Sequence, residues 1–497
     1  MIMIRKICIG FVLFLCVFHV YAQESLGRFD NYAGSSAITV NPSSLTTTFV
    51  YSDLGIMSFD VLLNNNFAYL PASDLLNYCL NTSQGWPMYQ SKPGGQESYY
   101  RYFDNTKNKS LTQNFALTMP SLMHTIGGFQ AVGFQARLRS SITARDLPWE
   151  IPVIATESLK DTTYHNINYV SQGANVVALQ WGELGLTYAA TVYEFHDTKI
   201  DVGLTARMLI GVSAVRARFD ELNYMILNQD SIRGNELDAT LHLAAPIDYS
   251  CPFSDMKSEL YGPTAKGYGA SFDIGFTYTR KRYTRRVGRV VTACESAPIP
   301  YIWRFGAALL DIGSIRFKDN VEVRHYDCDD PFVFNVDEFS SVNSVHGFFD
   351  LFDRLSGVSN SVVDATDFVV GTPAAMSFQL DANIVDNFYL ATYWTHPISL
   401  WHDAATRAAQ LTMVPRYETS VFGVSMPVEW YDYNYLRVGL MGRIGPLTIG
   451  SDDLLPLVGL SKLRGFNFYM ALRIRLDKGD CLFSPFRDAC GDKVRRR

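Results

Sequence analysis

The sequence predicts an all-β protein, a transmembrane antiparallel barrel of about 12–14 strands with long extracellular loops and an N-terminal segment in its lumen. Three observations predict it. Apolar and polar residues alternate with a period of two along many stretches. The connections between those stretches are short on one side and long on the other. No run of 18 apolar residues follows the N-terminus, so helical spans are excluded.

Composition agrees. Of 497 residues, 47% are hydrophobic and 13% aromatic, which is enough apolar material to exclude general disorder. The formal charge of −6 is too mild to draw nucleic acid, so no nucleic-acid partner is expected.

The chain opens with Arg5 and Lys6 before the apolar run ICIGFVLFLCVFHV, which ends in Val-Tyr-Ala ahead of Gln23. That order describes a secretory signal peptide over 1–22, cleaved after Ala22. Cys8 and Cys16 lie inside it without a small residue before either, so no lipoprotein anchor is expected. The mature chain therefore works in an exported, oxidising space, the outer membrane of a Gram-negative bacterium.

Residues 23–49 come next. Gly34, Ser35, Ser36 and the pair Asn41-Pro42 combine small side chains with turn chemistry. Such a segment can thread a narrow lumen as a hatch; a disordered periplasmic leader would look the same.

The barrel is expected over 50–476. Its first strand is Val50–Asn64. Leu111–Ile126 and Phe129–Thr143 meet across Gly127-Gly128, a tight hairpin signal. Val176–Tyr193 and Ile200–Arg218 are joined by Glu194–Lys199. Seven more follow: Gly267–Thr279, Tyr301–Phe317, Ala374–Ile384, Asn387–His396, Leu411–Met426, Tyr433–Ile449 and Gly465–Leu476. In the last, Phe466, Phe468, Met470, Leu472, Ile474 and Leu476 share one face, which suits lipid.

Short connections fall at Gly127-Gly128, Glu194–Thr198, Val385-Asp386 and Glu429–Asp432. Long ones fall at 65–110, 144–175, 219–266 and 318–373, with an intermediate turn at 280–300. A periplasmic tail, 477–497, follows the last strand.

The polar strand faces carry Arg137, Arg207, Arg304, Arg437, Arg443, Arg473 and Arg475, which suits a wet lumen. Arg137, Arg207, Asp273, Arg304 and Arg473 are the candidate ligand-binding residues, since an arginine fork fits an anionic head group. The competing reading pairs Asp with Arg to brace the lumen or hold the hatch. Asp311 shares the parity of Phe305, Leu309 and Phe317, so a bulge or interfacial position is needed to keep it from lipid. The turn RKRYTRRVGR (Arg280–Arg289) is solvated charge, or a dock for an acidic partner or anionic lipid.

Of the six cysteines left after cleavage, Cys79, Cys251 and Cys328 are expected in outer loops, and Cys294, Cys481 and Cys490 in the periplasm. Cys481 and Cys490 flank SPFRDA and are expected to pair, with Cys294 as competitor. The sequence has no His-Glu-x-x-His, Cys-x-x-Cys, Gly-x-Ser-x-Gly or phosphate-cradling loop. No metal, no cofactor and no enzymatic activity are expected.

NYAGSSAITVNPSSL (Asn31–Leu45) resembles the N-terminal segment of the long-chain fatty-acid transporter superfamily and of PorV-type barrels. Asn41 and Pro42 carry the match as the hatch motif, although Ser43 stands where those families often have Ala. GYGASFDIGFTY (Gly267–Tyr278), FGAALLDIGSIRF (Phe305–Phe317) and GRIGPLTIGSDDL (Gly442–Leu454) resemble an uncharacterised outer-membrane barrel family of Bacteroidota, domain of unknown function 5723. The transporter resemblance implies a luminal hatch and lateral passage through the wall. The expected role is uptake or binding of a small hydrophobic or amphipathic ligand; the alternative is a structural or shuttle partner in a surface-protein secretion assembly. The expected partners are outer-membrane lipid, the barrel-assembly machinery during biogenesis, and either that ligand or an exported protein. An apolar pocket between hatch and wall would favour transport.

Overall fold

The computed structural model describes residues 30–73, 101–103, 105–151, 159, 162–253, 264–282, 300–358, 361–401 and 404–478. The signal peptide, the Cys481–Cys490 pairing, Cys79, Cys294 and most of the basic turn lie outside these residues.

Fourteen strands close into one antiparallel barrel. They are β1 (Val50–Asn65), β2 (Lys109–Ile126), β3 (Gln130–Leu147), β4 (Ala174–Phe195), β5 (Thr198–Ile226), β6 (Gly267–Lys281) and β7 (Tyr301–Phe317). There follow β8 (Phe368–Gly371 with Ala375–Val385), β9 (Phe388–Pro397), β10 (Gln410–Glu418) and β11 (Phe422–Ser425 with Val428–Tyr431). The last three are β12 (Tyr435–Val438 with Leu440–Ile444), β13 (Leu447–Ser451) and β14 (Gly465–Asp477). Each strand pairs with the next, and β14 closes on β1 from Val50↔Asp477 to Asn64↔Gly465. This seam leaves no free edge between the first and last strands, as lipid requires.

Strand parity follows the sequence. On β14, Asn467, Tyr469, Ala471 and Arg473 are buried inside, while Phe466, Leu472 and Ile474 are exposed on the outer wall. On β4, Leu184, Leu186 and Tyr188 face out, alternating with inward Glu183, Gly185 and Thr187.

Two hairpins escape the sequence reading. Leu411–Met426 is broken at 419–421, where the Thr419 amide donates to the Phe422 carbonyl and the Phe422 amide to Thr419 Oγ1. Tyr433–Ile449 is broken at Gly445-Pro446, Gly445 having φ +54°. In both, the alternation continues through the turn, so it cannot report the reversal. These two turns, not Glu429–Asp432, lie on the short-turn side. The turn at 432–434 belongs to the opposite end, and this corrects the assignment from sequence.

β5 runs on beyond the barrel and carries an outer sheet of Ser231–Ala244, Val321–Cys328, Phe332–Asn335 and Val362–Val363. Below it, Ser44–Thr47 is the short helix α1; above, Val345–Ser356 is α2. Ser344 caps α2 by accepting from the Gly347 amide, and Gly357 at φ +74° ends it. Val345 and Phe349 of α2 pack with Ile142, Val215 and Leu243. Cys251 and Cys328 lie at this end, Cys328 as a free thiol.

Candidate functional site

The lumen is filled, not wet. Arg137, Arg207, Arg437, Arg443 and Arg473 are each 4% exposed or less. The polar strand faces are satisfied by the chain itself, in three levels from the short-turn side upward.

The lowest level is the hatch. Residues 30–48 fold inside the barrel as a single 3-10 segment, Gly34–Thr39, and α1. Asn41 Nδ2 reaches the Phe276 carbonyl at 3.1 Å and Gln379 Oε1 at 3.1 Å, and Asn41 Oδ1 accepts from Ser43. Three inward glycines on neighbouring strands make the room. A Cβ at Gly203 would strike the Pro42 backbone, one at Gly275 the Asn41 carboxamide, and one at Gly306 would lie 2.9 Å from Asn41 Nδ2. Arg304 donates to Asn31 Oδ1 at 2.8 Å, and Arg473 donates to the Ala33 carbonyl and to Ser36 Oγ. Tyr32 lies between the Arg443 and Arg475 guanidiniums, with its ring centroid 4.8 and 5.5 Å away. Below α1, Lys478 donates to the Thr48 carbonyl at 2.7 Å. Burial and the neighbouring charges of Lys199 and Arg304 push its ammonium down to about 7.

Above the hatch lies an ionic layer. Asp311 has φ +51° at a bulge between β6 and β7, which turns its carboxylate inward. The bulge demanded by its parity is present. Asp311 accepts from Arg139 at 2.9 Å, from Arg207 at 3.3 Å and from Arg407. Arg207 forks onto Asp273, and Glu183 accepts from Arg139 at 2.8 Å and Arg137 at 3.4 Å. Trp181 lies over this layer with Leu209, Ile315, Phe317, Phe368 and Val370 in an apolar cluster.

The third level is a plug from the long-loop side. Residues 404–409 enter the lumen, where Ala404, Ala405, Ala408 and Ala409 are buried. The Ala405 amide donates to the Gly371 carbonyl, Arg407 Nε to the Pro373 carbonyl at 2.9 Å, and Arg145 to Asp432. Small side chains let the backbone lie close to the wall. Sequence reasoning missed this plug because a loop without periodicity leaves no signal. Glu183 and Arg139 were legible from parity alone.

The wall has one thin sector. β13 has five residues, and it pairs with β14 only from Leu447↔Leu472 to Gly450↔Tyr469. Above that, among the described residues, β12 residues Tyr435–Val438 and β14 residues Gly465–Phe468 share no strand and are bridged by the 452–454 chain, the Leu454 amide donating to the Val438 carbonyl at 2.8 Å and the Asp452 amide to Asn467 Oδ1 at 3.0 Å. The notch is bordered outside by exposed Leu436 and Phe466, and by the loop carrying Leu457, Val458 and Leu460. Inside, Leu62, Tyr431 and plug residue Ala408 pack together.

Thus all five candidate lumen residues point inward, but not to one site. Arg137, Arg207 and Asp273 share the ionic layer; Arg304 and Arg473 hold the hatch. A hatch-to-wall space of about 540 Å³, including volume open to solvent, is lined by polar groups such as Asn31, Thr277, Arg304, Gln379 and Asp381. Among the described residues no cluster of side chains could hold a metal.

A family model described as a family of unknown function (DUF5723) matches residues 42–452. No curated protein sequence matches the chain. Among solved structures it is similar to a deletion mutant of the TodX monoaromatic hydrocarbon channel (TM-score 0.41, 9% identity), over 93% of this chain and 100% of that one. It is also similar to the Ralstonia pickettii toluene transporter TbuX (0.29, 8%, over 92% and 99%). A Pseudomonas aeruginosa FadL homologue is a third (0.27, 10%, over 88% and 91%). At such scores the likeness carries no argument, and the barrel stands on its own strand pairing.

Proposed function

The chain belongs to the DUF5723 family, and from that premise we propose that it is an outer-membrane barrel that takes up or holds a small hydrophobic or amphipathic ligand, admitted through the wall. The observation that carries this reading is the notch between β12 and β14 beside an axis blocked by hatch, ionic layer and plug. A solute moving down the axis would have to disrupt all three levels. An apolar solute in the bilayer meets the Leu457–Leu460 loop, the 452–454 chain and then the Leu62–Tyr431–Ala408 contact. The polar hatch cavity does not support an apolar binding pocket, so the ligand's apolar portion belongs at the notch. Export by a signal peptide over 1–22 puts the barrel in the outer membrane of a Gram-negative cell under this reading.

The test is uptake of a fluorescent long-chain amphiphile by cells with and without the protein. Faster uptake in producing cells is expected; equal uptake contradicts the proposal. The outer sheet, built on the extended β5, favours a second reading, a docking partner for an exported protein. Stoichiometric co-purification of such a protein, with no change in amphiphile uptake, would favour it instead.

A further inference from the structure

Outside the barrel, three chain segments bring a serine, a histidine and a glutamate into one hydrogen-bonded line. Ser250 follows the outer strand Ser231–Ala244, His346 is the second residue of α2, and Glu322 lies on Val321–Cys328. Ser250 Oγ is 3.0 Å from His346 Nδ1, and His346 Nε2 is 3.0 Å from Glu322 Oε2. Arg324 Nε donates to the other oxygen of Glu322 at 2.6 Å, which keeps that carboxylate an acceptor for the ring N–H. With Nε2 protonated toward Glu322, Nδ1 is left as an acceptor for the serine hydroxyl.

The histidine is held from two sides. Its backbone amide donates to the Tyr249 carbonyl at 3.0 Å, and its ring meets the Tyr249 ring edge-on at 5.8 Å. Tyr249 is itself fixed, donating its hydroxyl to the Asn320 carbonyl at 2.8 Å. Ser250 is exposed at the surface. A nucleophile bonded to a base, and that base to an orienting acid, is the arrangement that activates a hydroxyl. Packing alone does not require the hydroxyl at the open end of the line.

We propose that Ser250, His346 and Glu322 form an acyl-transfer site on the outer sheet that accepts carboxylic esters presented from solvent. This goes beyond the channel reading and beyond the non-enzymatic expectation from sequence. In the first step Ser250 Oγ bonds to the ester carbonyl carbon and its proton passes to His346 Nδ1. The ester C–O bond then breaks, and the departing alcohol oxygen takes that proton. Water repeats the sequence on the acyl-serine, giving its proton to His346 and releasing the carboxylic acid with Ser250 restored. Glu322 is a positioning residue, acting through the ring.

The experiment treats the full-length barrel in detergent with a fluorophosphonate reporter and, separately, with 4-nitrophenyl acetate. The expected results are one phosphonyl adduct mapped to Ser250, and ester turnover lowered about 100-fold in both Ser250→Ala and His346→Gln. Ser250→Ala removes only an exposed hydroxyl, and the heat-modifiable gel shift verifies its fold. Labelling at another residue, no labelling, or equal turnover in a folded Ser250→Ala variant would overturn the proposal.

Discussion

Replacing Asp311 by Asn removes the charge on which three guanidiniums converge while keeping a residue that tolerates φ +51°. Removing one partner of a buried ion pair costs about 3–5 kcal/mol, because the other charge stays buried. The structure sets the lower part of that range. Arg139 keeps Glu183 at 2.8 Å and Arg207 keeps Asp273, so the main loss falls on Arg407, which retains the Pro373 carbonyl. A loss of about 3 kcal/mol is expected. Asp367→Asn is the control: its partner Arg316 is 57% exposed at the barrel rim, and such a pair contributes less than about 1 kcal/mol. The assay is urea unfolding in lipid vesicles followed by tryptophan fluorescence. Trp181 reports locally, since its indole N–H donates to Glu183 at 2.7 Å and Arg139 lies 4.8 Å over its ring. If Asp311→Asn unfolded within about 1 kcal/mol of wild type, alongside Asp367→Asn, the ionic layer would not be the brace described.

Three further outcomes follow from the same geometry. Leu472→Arg places a charge on the outer wall and should cost about 2–4 kcal/mol near mid-membrane, read as impaired assembly on unheated gels; normal assembly would reverse the assigned face of β14. Gly275→Val has no space beside Asn41-Pro42, so the hatch should leave the lumen and become cleavable by protease in an otherwise folded barrel; a hatch as protected as in wild type would refute that seat. Burial raises the Glu150 carboxyl above its ordinary range, the Tyr224 hydroxyl donating to it at 2.8 Å. The folded state then holds the proton more tightly than the unfolded one. Its stabilisation is full below the unfolded value near 4.3 and is lost as pH rises through the raised folded value. Hydrogen exchange around 148–151 should therefore be slower at pH 4 than at pH 7 after correction for intrinsic rates, and Glu150→Gln should remove the difference.

The wall of the barrel was largely legible because lipid on one side and a polar interior on the other impose a strict period of two. That period identified the inward arginines and exposed the conflict at Asp311, which a bulge resolves. It could not show the turns at 419–421 and Gly445-Pro446, where alternation continues across the reversal. It also misjudged the inside. An inward arginine looks the same whether it meets water, a carboxylate or a hatch carbonyl, and here Arg473 meets the Ala33 carbonyl and Arg207 meets Asp273. The plug was hidden because burial of 404–409 depends on small side chains and on Arg407, not on a pattern. The meaning of Gly203, Gly275 and Gly306 emerged only when three strands set them around Asn41. The Ser250–His346–Glu322 line joins residues up to 96 positions apart, and no local motif announces it.

The central claim, entry through the wall beside a closed axis, is tested most directly by photo-crosslinking. The barrel is reconstituted in vesicles with a diazirine-bearing long-chain amphiphile, irradiated with and without excess unlabelled amphiphile, and its adducts are mapped by mass spectrometry. The account predicts that adducts suppressed by the competitor concentrate on Tyr435–Val438, the 454–463 loop and Gly465–Phe468. Adducts spread evenly over outward residues such as Leu186 and Leu204, with none suppressed by competitor, would contradict it.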